Sequence, residues 1–238
     1  MRNLLKITAL LFSTILIISC NNTIETSKKD YQPVVKDDAA KHLKDNNLDP
    51  ELKQKLEDLI AMMDEHPKSA KLYAERANLF VLMGKTMQAL QDITMAVDLD
   101  PKNSDFHTNK GQLLRQFKRN KEALEEVEKA IELDSESVGA HFNRGALFFN
   151  INRFEKAMKD FTFCIKARPE VGPPYFNRAF TYEQLHDIES AKKDLQEFIK
   201  ISQNKEWKKI AHEKLQEWDR VDYKIIIKDK DRLESMGM

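Results

Sequence analysis

From residue 50 onward, apolar side chains recur every three or four positions. Leu52, Leu56, Leu59, Ile60 and Met63 make one such stripe. Phe142, Gly145, Phe148 and Phe149 make another, and Ala157, Phe161, Cys164 and Ile165 a third. Trp207, Ile210, Ala211, Leu215 and Trp218 form the last, with Lys208, Lys209, Glu213 and Glu217 on the opposite side. This is the spacing of helices with one buried face. The beginning of the chain reads differently. Ile7 to Ile18 is an uncharged, mostly apolar run, ITALLFSTILII, followed by a polar stretch to about residue 48.

A second, longer period organises the helical pattern. Ala89, Ala123, Ala157 and Ala191 stand 34 residues apart. So do the small residues Ala77, Gly111, Gly145 and Ala179, and the bulky Phe80, Leu114, Phe148 and Tyr182. Ile93, Val127, Phe161 and Leu195 follow the same step, as do Val97, Ile131, Ile165 and Ile199. Pro67, Pro101 and Pro169 share one slot, with Ser135 in the remaining place. A fixed period of this length marks a stack of small units, none able to bury its apolar faces alone. Gly84 and Asn152 occupy equivalent slots where the first helix must end, and both tolerate a left-handed cap.

The period and its columns resemble the tetratricopeptide repeat. The resemblance implies an all-α fold: a right-handed superhelical stack of helix-turn-helix repeats with N- and C-terminal packing helices. The repeats are placed at 70–103, 104–137, 138–171 and 172–205. Residues 49–69 read as an N-terminal packing helix, and 206–238 as a capping helix and tail. Within that tail, Lys224 to Lys228 fits a strand, a helix extension or a docking segment. His107 and His141 take the aromatic slot of Tyr73 and Tyr175 and are read as packing residues. Phe198 replaces the small residue seen as Ala96, Ala130 and Cys164, which alters the last repeat interface.

Composition agrees with exposed helices: 41% hydrophobic, 33% charged, and only 6 Gly and 7 Pro in 238 residues. Lys+Arg and Asp+Glu balance at 39 each, so no bulk positive charge points to nucleic acid. The charges are patterned. Arg76, Arg144 and Arg178 share one slot; Asp92, Asp160 and Asp194 share another, 16 residues later. Lys110 and Glu126 fill those slots in the second repeat. The signs persist while the residues change together, which predicts an ion pair between the two helices of every repeat.

Arg2 and Lys6 precede the apolar run, which is too short to span a bilayer and suits a signal peptide, residues 1–19. Ile17-Ile18-Ser19-Cys20 resembles the bacterial lipobox. That resemblance implies cleavage before Cys20, a lipid on its thiol, and a tether over 20–48. It further implies a cell-envelope location, lipid-anchored to a bacterial membrane. Asn21 after the cysteine, where an Asp would mark inner-membrane retention, favours the outer membrane.

No metal spacing, phosphate loop or nucleophile elbow is present, so no catalytic residue, cofactor or metal is assigned. Cys164 reads as a buried thiol. The expected function is a protein-binding adaptor or scaffold. The alternatives are a structural subunit of an outer-membrane assembly or envelope-remodelling complex, and a cell-wall-acting enzyme. In the family the first helix of each repeat lines the concave face. There Asn109, Asn143 and Asn177 recur at the repeat period, with Asn78, Phe142, Phe149, Phe176 and Phe180 nearby. Amides that donate and accept, beside aromatic anchors, suit an extended peptide. The partner's identity and the oligomeric state stay open.

Overall fold

The computed structural model describes residues 49–220. The signal segment, Cys20, the tether and the tail beyond Arg220 lie outside the described residues. Within the described residues ten helices follow one another: α1 (Pro50–Glu65), α2 (Ala70–Leu82), α3 (Thr86–Leu99), α4 (Ser104–Gln116), α5 (Asn120–Leu133), α6 (Val138–Asn150), α7 (Phe154–Ala167), α8 (Gly172–Gln184), α9 (Ile188–Ile201) and α10 (Lys205–Arg220). The described residues contain no strand. Each pair α2/α3, α4/α5, α6/α7 and α8/α9 packs as a hairpin, and successive hairpins stack into the superhelix that the 34-residue period predicts.

Helix starts are set locally. Ser69, Asn103 and Ser137 stand one period apart, and each side chain accepts a backbone N–H of the first turn. Those donors have no partner within the helix, so each cap contributes about 1 kcal/mol. Val171 takes the fourth place without a cap bond, and proline in the first turn of α8 presets the helix instead.

Helix ends repeat even more closely. Gly84, Lys118, Asn152 and His186 all adopt left-handed φ, from 58° to 70°. In each turn the next residue donates back to a carbonyl five positions earlier: Lys85 to Phe80, Arg119 to Leu114, Arg153 to Phe148 and Asp187 to Tyr182. This is the Schellman closure, and it satisfies carbonyls the helix leaves open.

Small residues let the paired axes approach. A Cβ on Gly111 would stand 2.6 Å from Val127 Cγ1 and 3.1 Å from the Ala123 carbonyl. The four period-related alanines are fully buried. Buried apolar residues of α1 to α6 join one cluster, which includes Leu56, Phe80, Leu114 and Leu147. A second cluster centres on Phe176, Phe198 and Trp218. Phe198 is buried against Phe176, at a ring distance of 5.0 Å. A Cβ on Gly172 would meet its ring at 3.1 Å, so the glycine makes room for the larger side chain. At the ends, Leu56 and Met63 of α1 and Ala211 and Trp218 of α10 are buried.

Candidate functional site

The polar network between paired helices is structural. Arg76 gives two hydrogen bonds to Asp92, at 2.7 and 2.8 Å. Arg144 does the same to Asp160, and Arg178 to Asp194. Lys110 Nζ lies 2.6 Å from Glu126. Burial pushes the Asp92 carboxyl above its ordinary value, with the Arg76 hydrogen bonds acting against it. The hydrogen bonds to Asp160 raise Arg144.

The histidines belong to the same network, a role their aromatic slot did not reveal. His107 Nδ1 lies 2.7 Å from Glu126, and Nε2 lies 3.1 Å from the Pro101 carbonyl. His141 repeats the arrangement with Asp160 at 2.9 Å and the Ser135 carbonyl at 3.1 Å. Its ring also stacks on Phe163 at 3.9 Å. Both ring nitrogens lie against oxygens of the hairpin, so each ring ties the second helix's carboxylate to the turn before the first helix. These side chains fix helices rather than face a ligand. Burial pushes the Cys164 thiol up to about 12, which keeps it unreactive near neutrality.

The first helices α4 and α6 pack against each other, and Leu79 of α2, Leu113 and Leu147 fall in one cluster. Their outer face carries the amides. Asn78 is exposed, Asn109 and Asn177 are half-buried, and Asn143 is buried. The aromatic residues divide. Phe142 and Phe149 are half-buried, resting on Phe161 at 5.9 Å and Phe154 at 5.6 Å.

Phe176 and Phe180 are not exposed anchors. They are 5% and 9% exposed, because α10 lies over them. Trp207 meets Phe176 edge-on at 5.1 Å, and Trp218 stands 6.3 Å from Phe180. Trp218 Nε1 donates to Glu183 at 2.9 Å, and Lys214 Nζ approaches the same carboxylate at 2.7 Å. The expectation of an aromatic groove through the last repeat is therefore corrected: the capping helix has taken that part of the face.

At the other end the face remains open. Leu82, Met62 and Val81 are 72%, 48% and 41% exposed. Beside them a cleft of about 360 Å³ opens between α1 and α2, lined by Lys55, Asp58, Leu59, Met62, Glu75, Asn78, Leu79 and Leu82. No helix among the described residues is long and apolar enough to cross a membrane.

The tetratricopeptide-repeat family model matches residues 104–137, 138–171 and 173–205. Among solved structures, one of MamA AMB-1 is 20% identical, covers 70% of this chain and 96% of its own, and superposes with a TM-score of 0.55. YrrB, a TPR protein with an unusual peptide-binding site, is 20% identical over 72% of this chain and 95% of its own, with a TM-score of 0.53. No curated protein matches. At such identities the likeness concerns the fold. The unmatched pair α2/α3 keeps the same end turn as the other pairs and the same Arg–Asp bridge as α6/α7 and α8/α9. Residues 104–137, 138–171 and 173–205 thus carry tetratricopeptide repeats, and α2/α3 shares their period and hairpin geometry.

Proposed function

We propose that the chain is a lipid-anchored adaptor of the bacterial cell envelope, held to a membrane through Cys20 and binding an extended peptide or protein segment along its first-helix face. The observation that carries the binding half is the face itself. It offers the exposed Asn78 and the half-buried Asn109, open apolar residues at one end and a helix closing the other. YrrB, of the same fold, has a peptide-binding site. On this reading the repeats at 70–103, 104–137 and 138–171 form the open groove, and the repeat at 172–205 is closed by α10. The anchor half rests on the lipobox-like Ile17-Ile18-Ser19-Cys20 behind a short apolar run. Binding suits this arrangement: Arg76, Arg144 and Arg178 are held by carboxylates across their hairpins and the Cys164 thiol is buried.

The two halves are tested together. The wild-type chain, labelled in cells with an acyl-chain probe, incorporates the label, and Cys20→Ala does not. A partner captured from native membranes by the wild type is lost when Asn78 and Asn109 are changed to Ala, while the melting temperature holds. Retained labelling of the Cys20 variant removes the anchor; undiminished capture by the asparagine variant removes the face.

A further inference from the structure

The repeat period, counted back from α3, lands on α1. Leu56, Leu59 and Met63 take the slots of Leu90, Ile93 and Val97, and Asp58 takes that of Asp92. α1 is therefore built as the second helix of a hairpin. In each complete hairpin a first helix covers that face. α2 packs on α3; α4 packs on α5 and also meets α6; α6 does the same with α7 and α8. Ala89, Asp92, Ile93 and Ala96 are fully buried as a result.

The corresponding residues of α1 are Lys55, Asp58, Leu59 and Met62. Lys55, Asp58 and Met62 are exposed and Leu59 is half-buried. Across from them α2 offers Glu75, Asn78, Leu79 and Leu82, with Leu82 the most open of the apolar side chains at 72%. Both walls of the cleft thus run at i, i+3, i+4 and i+7, the spacing with which a helix meets a neighbouring helix. In the hairpins that follow, it is a first helix that lies against such a pair of walls.

The chain's own upstream segment is not built for this place. The four hairpins close through a left-handed residue, at Gly84, Lys118, Asn152 and His186. One period before Gly84 stands Pro50, whose ring fixes φ at about −65°. Residues 36–48 are denied the same closure, and they carry Asn46 in the slot of the buried Phe80.

Charge narrows the occupant further. Lys55 is held by Glu51 at 2.6 Å. Asp58 accepts a hydrogen bond from Gln54 at 2.9 Å and meets no cation among the described residues. Its counterpart Asp92 receives Arg76 from the first helix of its hairpin. We propose that an amphipathic helix of a partner protein completes the hairpin that α1 begins. It sets apolar residues, spaced by three and four, against Leu59, Met62 and Leu82, and an Arg or Lys against Asp58. This goes beyond the groove reading and does not depend on it: the ligand is a helix, and its place is the end of the stack.

The test displays helix-biased peptides of α2's length, 13 residues, with one face randomised, and selects them on the full chain in detergent. Synthetic copies of the selected peptides are then measured by fluorescence anisotropy and circular dichroism. They should carry apolar residues at helical spacing with one Arg or Lys, and gain helix on binding. A central proline should abolish binding. Leu82→Glu should weaken them at least about tenfold without lowering the melting temperature, while Asn109→Ala leaves them unchanged. Asp58→Lys should weaken them about fivefold, and a peptide whose cation is changed to Glu should recover on that variant. Peptides that tolerate the proline or Leu82→Glu overturn the inference, as does a library that yields none. The library holds no extended peptides, so the groove reading stands in each of these cases. Occupants of other origin are read directly. A disulfide between His42→Cys and Asp58→Cys in the Cys20→Ala chain would seat the chain's own segment. Dimerisation in sedimentation that Leu82→Glu abolishes would seat a second copy. Either result overturns the assignment to a partner.

Discussion

Loss of the Asp92 carboxylate should be the costliest of the four ion-pair truncations. Its side chain is fully buried, and that of Arg76 is 4% exposed. Asp92→Ala strips a buried guanidinium of two charge-assisted hydrogen bonds, and breaking such a pair costs about 3–5 kcal/mol. The Lys110–Glu126 pair is shallower, with side chains 17% and 18% exposed. A lysine stem can carry its ammonium to water, and the loss of one partner at His107 adds to the cost, so Glu126→Ala should cost about 1–2 kcal/mol. The difference is large beside a total stability of about 5–15 kcal/mol. Urea unfolding followed by far-UV circular dichroism reads the global cost. Amide exchange in α2 and α3 reads the local cost, because repeat arrays can open unit by unit. The double variant Arg76→Met with Asp92→Leu should recover most of the Asp92→Ala loss, since no charge remains buried. Equal costs for Asp92→Ala and Glu126→Ala, or a double variant as unstable as Asp92→Ala, would refute the argument from burial.

Three further outcomes are expected. Ala157→Trp should destabilise the stack by about 1–3 kcal/mol or more, because the site is fully buried and the indole has no space; an unchanged urea midpoint would show an open site. Lys118→Gly should stabilise by up to about 1 kcal/mol, since glycine relieves the left-handed strain at φ 58°, although its freer unfolded chain offsets part of the gain; a lower melting temperature would contradict this. In a Cys20→Ala background Cys164 should resist alkylation at pH 8 until urea unfolds the chain; its folded value near 12 lies above the ordinary 9.0, so the stability it supports is full below about pH 9 and falls as pH rises toward 12.

Much of the fold was legible because one set of contacts recurs. A column repeated at 34 residues reports the same packing each time, and the joint change from Arg and Asp to Lys110 and Glu126 marked a pair before any distance was known. What escaped was of another kind. Lys118 and His186 adopt the left-handed turn although neither is Gly or Asn; the closure from the following residue holds them, and only their slot, shared with Gly84 and Asn152, could have given them away. His107 and His141 join the ion pairs from 19 residues away, across the hairpin, where local pattern carries no signal. Phe176 and Phe180 looked like groove residues by register. Their burial depends on where α10 docks, and that contact lies outside the repeat.

The central claim is that this protein works by holding a partner on its first-helix face. Site-specific photo-crosslinking in native membranes tests it most directly. A photoreactive residue at Gln112, exposed on α4, is compared with one at Lys129, exposed on α5. The account predicts a discrete, reproducible adduct from Gln112, and none from Lys129. Adducts from Lys129 alone, or from neither position in a properly folded and localised protein, would contradict it.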